Sequence, residues 1–298
     1  SMSIQNYGRA SGQLSMKRTW ISFWILFFFC GFGMLANVKP TSVLLDYSAT
    51  YGFTPVNMGD IVSIPGVAGL IISIPTAWII RKIGVKPTCL VFAGAAIIGS
   101  VISLVATDAV MLLVSRFFDG LAFGMGSIIG PNVMPRLFPV SKLGIAMGIW
   151  SLWVTTGVII NFAAGPSLFA AFGANGINMF VLVFEIILTV IMIVGFKMPA
   201  VDQNTIVEGH VEQKRVIGKQ HVGWAIATGF FFLLWCMVYG AVNSFYATYL
   251  QTVQGMDPAT SGIVCLCLAL FTVPAGFIWG RVIDKAHIAK HGIWIGYI

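Results

Sequence analysis

Eight long apolar runs dominate this sequence, and each one is long enough to cross a lipid bilayer as a helix. About 20 helical residues span a bilayer core about 30 Å thick. The runs are Trp20–Leu45, Met58–Ile80, Pro87–Ala106, Ala109–Met134, Leu143–Phe172, Ile177–Phe196, Val222–Val253 and Ser261–Ile283. The pattern predicts an all-α integral membrane protein with eight complete transmembrane helices.

The composition excludes several classes of function. Charged residues make up 9% of the chain and hydrophobic residues 58%, whereas soluble domains carry about 25% and about 45–50%. This balance excludes a soluble enzyme and a nucleic-acid-binding protein. The five cysteines lie in apolar runs and the four histidines in polar loops, without metal-ligand or catalytic spacing. We therefore expect no enzymatic activity, no cofactor and no metal site.

Basic residues lie almost entirely on one side of the predicted membrane. Of the 17 Lys and Arg residues, all but Lys39 and Arg116 fall in the N-terminal tail or in loops on its side. Cytoplasmic loops are enriched in Lys and Arg. We therefore expect a multi-pass protein of the inner (cytoplasmic) membrane with a cytoplasmic N-terminus.

A long polar linker divides the chain. We predict a cytoplasmic tail over 1–19, a six-helix bundle over 20–196, a cytoplasmic central loop over 197–221 and the start of a second bundle over 222–298. Pro75 and Pro274 each precede a basic turn, as in two parallel repeats. The apolar residues from Gly292 onward predict the start of a ninth helix, and hence a chain truncated from twelve. A short amphipathic tail on the membrane is the alternative.

Several short motifs occur in the order and on the helices known from one transporter family. The loop Ala77–Lys86 (AWIIRKIGVK) is similar to the signature G-x-x-x-D-R-x-G-R-K, although Ala replaces the first Gly and Arg replaces the Asp. Gly280–Lys285 (GRVIDK) is a second copy, Arg116–Gly120 (RFFDG) is similar to R-x-x-x-G, and Asn161–Pro166 (NFAAGP) is a degraded Gly-Pro signature. From about Trp20 to Lys290 the chain resembles the major facilitator superfamily.

The resemblance implies a secondary active transporter that moves a small solute by alternating access between two helical halves. A non-transporting membrane protein, such as a sensor or an assembly subunit, is the alternative. The resemblance also implies a basic cytoplasmic gate between the halves. The residues expected there are Arg81, Lys82, Gly84, Arg136, Gly280, Asp284 and Lys285.

Two further stretches resemble the cyanate-permease-like branch of that family. They are Asn37–Pro40, where the branch usually has Arg in place of Lys39, and Gly130–Pro139. Together with the two intramembrane cations, this similarity favours a small anionic solute, moved with or without protons. A neutral or drug-like solute is the alternative.

Four charged residues are predicted to lie deep in the membrane, where charge is costly and often functional. They are Lys39, Arg116, Asp119 and Glu185. Lys39 and Arg116 are candidate anion-binding residues, whereas Asp119 and Glu185 are candidates for proton coupling. Three alternatives remain. Lys39 could snorkel to the surface beside Asp46, Arg116 and Asp119 could form only an intrahelical pair, and Glu185 could hydrogen-bond to a neighbouring helix.

The seventh apolar run carries a polar stripe. Tyr239, Asn243 and Tyr246 recur at spacings of four and three residues, which places them on one helical face. The stripe predicts a water-filled cavity and adds three candidate substrate-binding residues. Interfacial anchoring of the aromatic rings is the alternative.

Overall fold

The computed structural model describes residues 14–54, 56–199 and 219–286, and all secondary structure in these ranges is helical. The elements are α1 (Met16–Val38), a 3₁₀ turn (Thr41–Val43), α2 (Leu44–Thr50), α3 (Asp60–Ile83), α4 (Val85–Val105), α5 (Ala109–Leu137), α6 (Val140–Trp150), α7 (Trp153–Gly195), α8 (Lys219–Thr252) and α9 (Pro258–Ala286). Most of the predicted tail and central loop, and the predicted start of a ninth helix, lie outside the described residues.

Within the described ranges, six segments are long and apolar enough to cross a membrane, and a shorter apolar helix covers Pro258–Pro274. One of the six, Lys142–Gly195, has 54 residues. At 1.5 Å per residue this is more than twice the length that one crossing needs. The prediction of an all-α integral membrane protein is confirmed.

Helix α7 contains two crossings joined at Gly173, whose φ of 65° lies in the left-handed region that favours glycine. Before this point α7 runs parallel to α1, because Gly157 approaches Gly31 of α1 while Asn161, farther along α7, contacts Ser42 just beyond the end of α1. After it the chain returns antiparallel to α1, and Ser22 meets the backbone of Lys197. The fifth and sixth predicted spans are therefore separate crossings, as the sequence indicates.

The first predicted span is not the single helix that its apolar length suggests. Helix α1 ends at Val38, and the 3₁₀ turn and α2 follow. Pro40 has no N–H to donate to the carbonyl of Ala36, and its ring disfavours a continuous helix. The break lies beside Lys39, one of the candidate site residues.

The fifth predicted span is also interrupted, at Ser151 and Leu152 between α6 and α7. The N–H of Leu152 bonds to the carbonyl of Ile149, three residues earlier, at 3.0 Å. This tighter bond replaces the four-residue spacing of an α-helix. Trp150 and Trp153 flank the interruption, and both are buried.

Small residues bring the helices of the first bundle close together. A Cβ on Gly120 would collide with the backbone of Pro65, and one on Gly124 with the backbone of Gly69. Helices α3 and α5 therefore touch backbone to backbone, as small-residue spacings permit in membranes. This contact fixes the depth at which the charged residues of α5 lie.

Basic side chains gather at one end of the bundle, which we call the basic end. Arg18 donates to the carbonyl of Gly195 at 3.2 Å, and Lys86 donates to that of Ile193 at 2.7 Å. Both cations thus lie at the C-terminus of α7, where the helix dipole favours positive charge. The 3₁₀ turn and the α8–α9 connection lie at the opposite end.

Candidate functional site

Three charged side chains, two from α5 and one from the α1 break, form one buried cluster. Lys39 Nζ lies 3.1 Å from Asp119 Oδ2, and Arg116 Nη1 lies 2.6 Å from the same oxygen. All three residues have a relative exposure of 0%. One carboxylate thus serves two cations, and the three side chains carry one positive charge in excess when all are ionised. We call these residues the charge cluster.

Arg116 is held mainly by backbone carbonyls. Its Nη1 donates to the carbonyl of Ala36 at 2.7 Å, its Nε donates to that of Ile61 at 3.0 Å, and its Nη2 donates to that of Asn37. The Ala36 carbonyl is the one that Pro40 leaves without a helical donor. Arg116 therefore satisfies the broken end of α1 and joins α1, α3 and α5.

Lys39 has fewer acceptors than Arg116. Its ammonium donates to Ser103 Oγ at 3.2 Å and meets Asp119, whereas an ammonium has three N–H donors. Ser103 itself donates to the carbonyl of Ser100 at 2.8 Å. Of the two cations, Lys39 is thus the one that changes partners at lower cost.

Helix α4 approaches Asp119 at a glycine. A Cβ on Gly99 would lie 2.6 Å from Asp119 Oδ1, and Ser115 Oγ donates to the Gly99 carbonyl at 2.7 Å. The Oδ1 atom is buried and has no hydrogen-bond partner among the described residues. Gly99 therefore leaves the space in which the carboxylate lies.

The alternatives for these residues can now be judged by geometry. Lys39 does not snorkel beside Asp46, because Lys39 is fully buried and paired with Asp119 while Asp46 is exposed. The intrahelical pair of Arg116 and Asp119 does form, and Lys39 joins it. The sequence predicts the pair from its spacing, but it contains no signal for the contact between α1 and α5.

Glu185 lies in the second crossing of α7 with a relative exposure of 5%. Neither carboxylate oxygen has a hydrogen-bond partner of regular geometry among the described residues, so the role of Glu185 stays a prediction. Ser100 of α4 faces Glu185 without completing a hydrogen bond. The surrounding side chains, from α1 and α4, are apolar.

The polar stripe of α8 lines a cavity of about 190 Å³ between α7, α8 and α9. Tyr239, Asn243 and Tyr246 all line it, as their spacing along the helix predicts, and their role in binding a solute stays a prediction. Three lining residues not identified from the sequence are Phe162, Cys265 and Thr272. They come from two other helices, and only the packing of α7 and α9 brings them to the stripe.

The charge cluster and the cavity are separate. Lys39 and Arg116 do not line the cavity, and the lining residues carry no charged side chain. The structure therefore does not join the five predicted substrate-binding residues into one site. It places them in two sites, one sealed and charged, the other open and neutral.

A chain of hydrogen bonds links the first bundle to α8 and α9 at the end opposite the basic end. Asn161 donates to Thr41 Oγ1 at 3.0 Å and accepts from Ser42. Gln251 donates to the Ser42 carbonyl at 3.4 Å and to Ser261 Oγ at 2.8 Å. The sequence gives no signal for Gln251, whose partners come from distant segments. At this end the two parts of the molecule are in contact.

The predicted gate residues of the first bundle are solvent-facing. Arg81, Lys82 and Arg136 are exposed, and the Lys82 ammonium lies 4.7 Å from the centre of the Trp78 ring. Gly84 has a φ of 87°, as the turn from α3 to α4 requires. Gly280, Asp284 and Lys285 belong to α9, but their side chains lie outside the described part of the chain.

The chain is similar in sequence to one transporter family and to several transporters. The Major Facilitator Superfamily profile matches residues 14–298. An uncharacterised transporter of Rickettsia felis is 22% identical over 232 residues, covering 72% of this chain and 53% of the relative. The probable nitrate transporter NarT of Staphylococcus aureus is 24% identical over 265 residues, covering 88% of this chain and 64% of NarT. The chain thus spans about half to two thirds of the length of these relatives.

Two solved structures share the fold. A D-xylose–proton symporter matches with a TM-score of 0.68 at 10% identity, covering 90% of this chain and 68% of the symporter. A bacterial homologue of the human lysosomal transporter Spinster, inward-facing and occupied, matches with a TM-score of 0.69 at 17% identity. That match covers 91% of this chain and 63% of the homologue.

Proposed function

This chain belongs to the Major Facilitator Superfamily, a family of transporters, and on that premise we propose that it moves a small anion across the membrane by alternating access. The relatives include a probable nitrate transporter, whose solute is an anion. The proposal includes a cytoplasmic N-terminus and a gate at the basic end, formed by the exposed Arg81, Lys82 and Arg136.

One observation supports an anionic solute above all: two buried cations share one carboxylate. Placing a charge in the membrane costs at least about 2.5–3.5 kcal/mol on insertion scales, and such residues commonly lie on solute pathways. Among the described residues, Asp119 is the only anionic hydrogen-bond partner of Lys39 and Arg116. A solute anion would supply the second negative charge.

In the proposed mechanism the two cations have different tasks, and their different hydrogen-bond partners support this division. Arg116 remains bound to Asp119 and to the carbonyls of α1 and α3, and keeps the site in shape. Lys39 has Asp119 and Ser103 as its hydrogen-bond partners in the described part of the chain, so it turns from Asp119 toward the anion. Asp119 keeps its bond to Arg116 during this exchange, and no carboxylate is left without a cation.

The end of the molecule opposite the basic end is closed, and this closure fits transport by alternating access. Gln251 bridges the 3₁₀ turn and α9 at the end opposite the basic end. A solute that passes there must separate α8 from the first bundle and break these hydrogen bonds. The closed contact thus belongs to a state that would release solute toward the basic end.

Uptake into proteoliposomes tests the proposal. The purified protein is offered nitrate, formate and acetate, and we expect accumulation of at least one of them. Lys39→Ala and Arg116→Ala should abolish that uptake while the protein still reaches the membrane. Lys142→Ala removes an exposed cation and serves as the matched control. Normal anion uptake by the Lys39 or Arg116 variant would remove that residue from the site.

The open cavity favours a second candidate, a neutral polyhydroxylated solute. Tyr239, Asn243, Tyr246 and Thr272 provide hydrogen-bonding groups and aromatic rings there, without a charged side chain. The relatives include an H(+)/hexose cotransporter of Parachlorella kessleri, 31% identical over 93 residues that cover 31% of this chain and 17% of the cotransporter. Uptake of D-xylose but of none of the three anions would favour this function.

A further inference from the structure

Glu185 is a buried carboxylate without a described hydrogen-bond partner. A small gap of about 10 Å³ beside it is lined by Phe29, Phe32, Phe92 and Ala96, among others. Both Glu185 oxygens are shielded from solvent. An ionised carboxylate in such apolar surroundings is far more costly than a neutral acid. These surroundings therefore favour Glu185 carrying a proton.

Glu185 is also close enough to the charge cluster for their charges to interact. Ala96 of α4 lines the gap beside Glu185, and Ser103, seven residues later on the same helical face, accepts from Lys39. Two serines on one face of α4 lie between Lys39 and Glu185: Ser103 accepts from Lys39, and Ser100 faces Glu185. The Ser100 hydroxyl is buried and has no described partner, so it is available to an ionised Glu185.

The protonation of Glu185 sets the net charge of this region. Lys39 and Arg116 contribute two positive charges, and Asp119 contributes one negative charge. With Glu185 protonated the sum is +1, and with Glu185 ionised it is zero. A site with a charge of +1 binds an anion more tightly than a neutral one, because opposite charges attract. Since the coupling between two ligands is reciprocal, a bound anion in turn favours the proton on Glu185.

We propose that Glu185 is the proton-binding site that couples proton movement to anion transport. The inference rests on the proposed anion transport. On the loading side a proton from water binds the Glu185 carboxylate, and the anion then binds at Lys39. On the release side Glu185 returns the proton to water, the net charge falls to zero and the anion leaves. Proton and anion thus cross together.

Few groups near Glu185 compete for this role. From α1 it faces the rings of Phe29 and Phe32, with Lys39 as the nearest described charge on that side. From α4 it faces Ser100, and from α5 the charge of Asp119. Asp119 is bound to both cations, so Glu185 is the carboxylate of this group that exchanges its proton without losing an ion pair.

The variant Glu185→Gln tests the inference because glutamine imitates the protonated acid. The probe is whichever of nitrate, formate and acetate the wild-type protein accumulates. In the wild type we expect the affinity for that anion to fall roughly 5-fold to 150-fold from acid to alkaline pH. In Glu185→Gln it should stay high at every pH, and accumulation driven by a proton gradient should be lost while anion exchange continues. Asp46→Asn removes an exposed carboxylate and should behave as the wild type.

The infrared difference spectrum between acid and alkaline pH adds a measurement that does not depend on uptake. The carbonyl band of a protonated carboxylic acid should be present in the wild type and in Asp46→Asn, and absent in Glu185→Gln. Equal pH dependence in the wild type and Glu185→Gln, or an unchanged band, would overturn the inference alone. If the wild type accumulates none of the anions, both the proposed anion transport and the inference about Glu185 fail.

Discussion

Two parts of the molecule, the first bundle (α1–α7) and the pair α8 and α9, place their polar side chains in different surroundings. In Met16–Thr50, 72% of the most apolar stretch is buried, whereas in Gly229–Thr252 the share is 6%. The first part contains the charge cluster, sealed from solvent. The second part presents Tyr239, Asn243 and Tyr246 to an open cavity.

This difference shows how the number of partners a group requires decides where it lies. The charge cluster needs hydrogen bonds from α1, α3 and α5 at once. Asn243 satisfies its amide on its own helix, by donating to the Tyr239 carbonyl at 2.9 Å. A buried charge therefore obtains its hydrogen-bond partners only after several helices have packed together. A neutral polar side chain can obtain one within its own helix.

The largest effect should follow from removing the shared carboxylate. Asp119→Asn leaves Lys39 and Arg116 buried without an anionic hydrogen-bond partner. Breaking a buried ion pair from one side typically costs about 3–5 kcal/mol. We expect a large fall in the unfolding temperature of the detergent-purified protein. A stability equal to that of the wild type would mean that the cluster is not sealed.

A smaller effect should follow from crowding the same carboxylate. Gly99→Ala places a Cβ 2.6 Å from Asp119 Oδ1, and such overpacking costs about 1–3 kcal/mol. Gly94→Ala on the same helix is the matched control, because a Cβ there meets nothing within 4 Å. The control should be unchanged or more stable by about 0.5–1 kcal/mol. If both variants unfold alike, α4 does not approach Asp119 as described.

In the second part of the molecule the effect should appear in transport rather than in stability. Asn243→Ala removes one hydrogen-bonding group from the cavity and should lower the affinity for a solute bound there about 2-fold to 10-fold, the value of one hydrogen bond. Stability should stay within about 0.5 kcal/mol of the wild type. Val238→Ala, on the exposed side of the same helix, is the control. Solute affinity unchanged by Asn243→Ala would place the solute outside this cavity.

The smallest effect concerns the start of α9. Asp257 accepts from the Thr260 hydroxyl at 2.6 Å and from the Thr260 N–H at 3.0 Å, and these bonds lower the pKa of Asp257. The resulting stabilisation is present above the unfolded pKa of about 3.9 and is lost as the pH falls through the folded pKa. Hydrogen exchange at the Thr260 amide reports it. Asp257→Asn keeps a capping side chain and should remove most of the acid dependence. Identical acid dependence in both proteins would contradict the assignment.

Much of the fold could be predicted from the sequence, because apolar length and turn spacing are local properties. The i, i+3 spacing of Arg116 and Asp119 predicts their pair, and the i, i+4, i+7 spacing on α8 predicts its stripe. The spacing does not predict that Lys39 reaches Asp119, because their contact depends on how α1 packs against α5.

The local breaks and the missing partners were harder to predict. Apolar length alone suggests a continuous first span, although the absent N–H of Pro40 ends α1. The rings and small residues of α1 and α4 that surround Glu185 could not be predicted either, because they come from distant segments of the chain. Spacing along one helix contains no information about what the facing helices present.

The Arg116 contact with the α1 break also bears on the order of assembly in the membrane. The Ala36 carbonyl, left without a helical donor by Pro40, is satisfied by a side chain 80 residues later in the chain. The first crossing therefore enters the bilayer unfinished and is completed only when α5 packs against it. Until Arg116 has been synthesised, the Ala36 carbonyl lacks this donor and can accept a hydrogen bond from another group. Correct folding of the first crossing therefore depends on the fourth.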